Sequence, residues 1–134
     1  AWIHSVGRTT DQNAMWGLIE DQDGFLESMA EADKAVVDYF KPENMAYINV
    51  LNKISIDCDC DANPHDPEMA DIGIVASLDP VAIDKCCYDM IMNSSDKGKA
   101  SLINRMEEKH AIHTVYTAAS LGIGSIEYEI IDID

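Results

Sequence analysis

The run Asp71 to Asp84, DIGIVASLDPVAID, constrains the fold more than any other stretch of this chain. Its first half is a short apolar segment, bounded by acidic residues and rich in β-branched side chains, which suits a buried strand. Asp79-Pro80 follows directly. An aspartate in that position can accept a hydrogen bond from an otherwise unpaired helical amide, and proline is tolerated at the first helical position because its missing N–H would have no partner there. The segment therefore reads as a strand feeding a helix, which is predicted to continue to about Asn93.

The same reading extends to either side. Phe25, Leu26, Met29, Ala30, Val36, Val37 and Phe40 recur at helical spacing from Asp23 until Lys41-Pro42 stops the pattern. Met45 to Ile56 is apolar and β-branched enough for a second buried strand. A polar loop carrying Pro64 and Pro67 separates the two strands. Beyond the turn at Asn93 to Gly98, helices are predicted over Ala100–Lys109 and His113–Leu121, with Gly122 as the stop. Ser125 to Ile133 alternates as a strand would, with Ile126, Tyr128, Ile130 and Ile133 expected in the core.

Helices interleaved with strands imply an α/β fold, with the helices packed on a small, mostly parallel or mixed sheet. Residues 1–22 show no sustained period and read as an N-terminal arm, leaving 23–134 as a single α/β domain.

Charge excludes some partners. Nine basic residues against 25 acidic ones give a formal net charge of −16, which repels nucleic acid phosphates and anionic lipid. No apolar run approaches the ~20 residues of a membrane helix. The four cysteines fall in two close pairs, unlike the dispersed framework of a small secreted disulfide domain. Reduced thiols and a cytoplasmic location are the expectation.

Chemistry concentrates in Asp57-Cys58-Asp59-Cys60-Asp61, with His65 close behind. In an extended segment the two cysteines would share one side and the three aspartates the other. Thiolates suit zinc or iron, and carboxylates suit calcium or magnesium, so the loop is a candidate site for a divalent metal of either kind. A closed tetrahedral site needs two ligands beyond the cysteines. His65 can supply one, and His110 or His113 could approach from a distant helix.

Asp57, Asp59, Asp61, Asn63, His65 and Glu68 also fall on the ligand positions of an EF-hand calcium loop. However, Ala62 stands where that loop needs glycine, and the preceding segment reads as a strand. Packed cysteines among turn-forming aspartates are the competing structural explanation. Cys86 and Cys87 are adjacent in a predicted helix and point apart, so at most one can face the loop. Gly122-Ile123-Gly124 follows a helix and precedes a strand, the reverse of a phosphate-binding order, and reads as a turn.

Taken together, DCDC, DIGIVASLDPVAID and LGIGSIEYEIIDID resemble the C-terminal region of the iron–sulfur-centre family known as domain of unknown function 362, from about Asp23 to the end of the chain. The resemblance implies association with a 4Fe-4S cluster in the complete protein. Its partner would be the remainder of the same polypeptide or a ferredoxin-like protein. No Cys-x-x-Cys-x-x-Cys motif for such a cluster occurs in this chain. Matching positions are Asp57, Cys58, Asp59, Cys60, Asp71, Ser77, Asp79, Asp84 and His113, with Pro80 and Gly124. The leading functional expectation is a metal- or redox-associated module. A non-catalytic structural or interaction domain is one alternative, and an enzyme using Asp79 or Asp84 with a divalent cation is another.

Overall fold

The computed structural model describes residues 21–57 and 61–133. Among them lie four α-helices and two β-strands: α1 Gln22–Phe40, β1 Tyr47–Leu51, β2 Gly73–Ser77, α2 Pro80–Asn93, α3 Lys99–Glu108 and α4 Ile112–Ser120. A short 3₁₀ turn, Pro42–Asn44, joins α1 to β1. The expected N-terminal arm falls almost wholly outside the described residues.

Local signals bound α1, α2 and the end of α4. Asp21 caps α1 by accepting from the Gly24 amide at 3.0 Å. Asp79 caps α2, its Oδ1 accepting from the amides of Val81 and Ala82 at 2.8 and 2.9 Å, with Pro80 at the first helical position. α4 stops at Gly122, whose φ of +73° suits a residue without Cβ. The Gly122 and Ile123 amides donate back to the carbonyls of Ala119 and Ala118, a Schellman closure that buries Ile123 against the core.

α2 is the central element, because its two ends feed two apolar clusters. Val81 joins Ala30, Val37, Ala118 and Ile123 where α1, α2 and α4 meet. Ile91 joins Leu51, Met69 and Leu102 between the sheet and α3. Burying such side chains fully contributes about 1.5–3 kcal/mol each, so these two clusters hold the helices on the sheet.

The α/β expectation of helices on a small sheet holds, and the direction of its strands is antiparallel rather than parallel or mixed. Tyr47 pairs with Ser77, Asn49 with Val75 and Leu51 with Gly73. A parallel pair needs a crossover, usually helical; the described residues of the 52–72 connection form no helix. Both strands are also shorter than their apolar runs, and among the described residues only one face is covered. Tyr47, Asn49, Leu51 and Val75 are at least partly buried, whereas Ile48, Val50 and Ile74 on the other face are 60–72% exposed.

Ser125–Ile133 is not a strand, and this corrects the expected third one. The segment has no ladder partner among the described residues, and Ile130 and Ile133 are exposed instead of buried. Two polar contacts tether it to α2: the Ser125 amide donates to Asp79 Oδ2 at 2.8 Å, and the Tyr128 hydroxyl donates to Asp89 at 2.7 Å. Donating to the Asp89 carboxylate, followed by burial, pushes the Tyr128 phenol up to about 12. Alternation encodes a strand only when a sheet edge is there to receive it.

Candidate functional site

Two groups of side chains are brought together. The first is the base of the cysteine–aspartate loop. Cys58, Asp59 and Cys60 lie outside the described residues, but the residues flanking them form a closed clasp. Asp57 Oδ2 accepts from the His65 backbone amide at 2.9 Å and also lies 2.5 Å from Nδ1 of the His65 ring. The Ser55 hydroxyl donates to the His65 carbonyl and accepts from the Asp57 amide. Arg105 on α3 approaches the other oxygen of Asp57 at 3.9 Å.

These contacts shift both partners. The two hydrogen bonds from His65, backbone and then ring, hold the Asp57 carboxyl below its ordinary 3.8. The same ring bond, followed by the Asp57 charge, raises the His65 imidazole above its ordinary 6.5. A raised histidine contributes stability that is fully present below the unfolded value and lost as pH rises through the folded one. A depressed aspartate contributes above its unfolded value and loses that contribution as pH falls through the folded one. The clasp should therefore be tightest between about pH 3.8 and 6.5. Proton NMR of the His65 ring should give a midpoint above 6.5 that falls in Asp57→Asn; a midpoint unmoved by that change would mean the pair does not form.

The described loop residues do not assemble an EF-hand. Asp57 and His65, positions one and nine of that pattern, bind each other, and Asp61 accepts from the Asn63 amide. Glu68 accepts from the Ser101 hydroxyl. Among the described residues, Asp57 and Asp61 hold the loop itself and Glu68 reaches α3, rather than converging on a centre. Asp71 likewise accepts from the Lys53 amide, and Ser77 accepts from the amide of Asp79. His110 and His113 are directed at α1, where they meet Asp23 at 2.6 Å and Glu27 at 3.0 Å.

Cys86 is buried, and Cys87 is half-buried against the cluster of Leu51 and Met69. Burial pushes both thiols up. Among the described residues, no group of three or more His, Cys, Asp or Glu side chains is placed to hold a metal ion.

The second group lines a cleft of 270 Å³ between α1, β1, α2 and α4. Asp33 from α1 and Asp84 from α2 face it together with Tyr47 and Asn49 from β1. Asn49 Nδ2 donates to Asp84 Oδ1 at 2.8 Å and lies 3.5 Å from Cys87 Sγ. Burial pushes the Asp33 carboxyl up, and the Asp84 carboxylate adds to the effect. Tyr47 is raised by burial and then by Asp33 and Asp79. Sequence reading singled out Asp84 but missed Asp33, Tyr47 and Asn49. Asn49 carried a legible signal, as an amide in the middle of an apolar strand must find a polar partner when it is buried.

The sequence matches the family described as Domain of unknown function (DUF362) over residues 1–89. This chain belongs to the DUF362 family. The matched region takes in the cysteine–aspartate loop, both strands and α2 as far as Asp89. It thus differs from the expected span of Asp23 to the end, adding the first residues and leaving out LGIGSIEYEIIDID. No curated protein and no solved structure matches the chain. No helix among the described residues of this DUF362 chain is long and apolar enough to cross a membrane.

Proposed function

We propose that this DUF362 chain is a metal- or redox-associated module of a larger iron–sulfur-centre protein, with the cysteine–aspartate loop supplying its ligands. The observation that carries this reading is the His65–Asp57 pair. A metal-binding histidine commonly gives one ring nitrogen to a carboxylate, which fixes the ring and makes the other nitrogen a better ligand. Asp57 holds Nδ1, while Nε2 has no hydrogen-bond partner among the described residues and the side chain is 74% exposed. In sequence, Cys58 and Cys60 lie inside the segment that this pair closes.

A complete 4Fe-4S cluster does not fit this chain. Such a cluster takes four thiolates, and Cys86 is buried and Cys87 half-buried, with burial pushing both thiols up. Cluster ligands would come from the remainder of the polypeptide or from a ferredoxin-like partner, in a cytoplasmic setting that keeps thiols reduced. The loop itself is suited to a single zinc or iron ion held by Cys58, Cys60 and His65, with a fourth ligand from that partner. Asp57 orients the histidine, while Asp59 and Asp61 add negative charge beside the cation.

Metal analysis of anaerobically purified protein tests this. The expected result is near-stoichiometric zinc or iron that disappears in a Cys58→Ser/Cys60→Ser double variant. Asp57→Asn should weaken retention about 10–100-fold. A folded wild-type protein that takes up neither metal, or metal content indifferent to the cysteine changes, would overturn the proposal.

A further inference from the structure

The cleft between α1 and α2 belongs to neither the loop nor its clasp, and its chemistry is that of a receptor for a cation. Asp33 and Asp84 both face it, and among the described residues no lysine, arginine or histidine lines it. Among the described residues neither carboxylate has a salt-bridge partner; Asp84 is held by the neutral amide of Asn49. Asp33 is partly buried beside a like charge, so a bound positive charge would relieve both the burial and the repulsion.

The rest of the lining decides what kind of cation fits. Magnesium or calcium takes six or more oxygen ligands, and the described residues offer no group of three carboxylate, histidine or cysteine ligands. The remaining walls are mainly apolar, with Val81, Val115 and Ala118 prominent, and Tyr47 and Thr114 add hydroxyl groups. Apolar walls with a few directed polar groups are the usual makeup of a small-molecule pocket. We propose that this cleft binds a small organic cation, an ammonium group on a short apolar body, with the ammonium between Asp33 and Asp84 and the body against Val81, Val115 and Ala118.

The probe is n-butylammonium, with n-butanol as its neutral counterpart and magnesium as the hard cation, each titrated into the intact protein and followed by NMR of the backbone amides. The expected result is saturable shifts around Asn49, Asp84 and Val115 with butylammonium, absent with butanol and with magnesium. Asp33→Asn and Asp84→Asn keep the shape of the side chain and should each weaken binding at least tenfold. Their folding is checked by melting, and either variant that melts like wild type suffices. Equal responses to amine and alcohol, magnesium binding in the cleft, shifts spread over the acidic surface, or unchanged affinity in a folded variant would each overturn the proposal. Because neither carboxylate touches the described residues of the cysteine–aspartate loop, failure here leaves the metal proposal standing and the converse also holds.

Discussion

Asp79→Ala is expected to lower stability by about 2–3 kcal/mol, the sum of a lost helix cap and a released tail. One oxygen of Asp79 accepts from two amides of the first turn of α2, and the other accepts from the Ser125 amide. Alanine leaves all three donors without that partner, and α2 is the helix that feeds both apolar clusters. The negative charge at a helix N-terminus is lost as well. Asp79→Asn should cost roughly half as much, because its carbonyl oxygen still caps the helix while its amide nitrogen cannot accept from Ser125. Denaturant unfolding of the two variants separates these contributions. If alanine proved as stable as asparagine, the cap would not be what holds this end of α2.

Gly98→Ala should cost about as much, roughly 2–3 kcal/mol, through overpacking against backbone. A Cβ on Gly98 would overlap the Glu68 carbonyl. That carbonyl cannot easily move, because Asp96 clamps the two segments together. It accepts from the Ala70 amide with one oxygen and from the Gly98 amide with the other, both at 2.8 Å. These bonds hold the Asp96 carboxyl below its ordinary range. The neighbouring Met69 is buried beside Leu51, Ile91 and Leu102, so any retreat of the 68–70 segment opens the second cluster. Gly122→Ala provides the contrast: it meets no atom within 4 Å and suffers only from its φ of +73°, a strain of about 1 kcal/mol. Thermal melting should rank Gly98→Ala below Gly122→Ala, and the reverse order would refute the close packing of Glu68 on Gly98.

What could be read from the chain without its structure was whatever a few neighbouring residues decide among themselves. Asp79-Pro80 started α2, Lys41-Pro42 ended α1 and Gly122 ended α4, because capping and chain reversal are satisfied within a handful of residues. The clasp of Asp57 and His65 is also short-range, eight residues apart, and both were legible as candidates, although their mutual hydrogen bonds were not. Other features depended on distant partners. Ser125–Ile133 has the alternation of a strand and is tethered to α2 by Asp79 and Asp89 instead. The cleft joins residues 33, 47, 49, 84 and 114, whose common location follows from how α1, α2 and α4 pack around the sheet. No periodicity marks Asp33 apart from the other acidic residues of α1. Its character comes from burial beside Asp84, and burial is a property of the assembled core that no local sequence pattern contains.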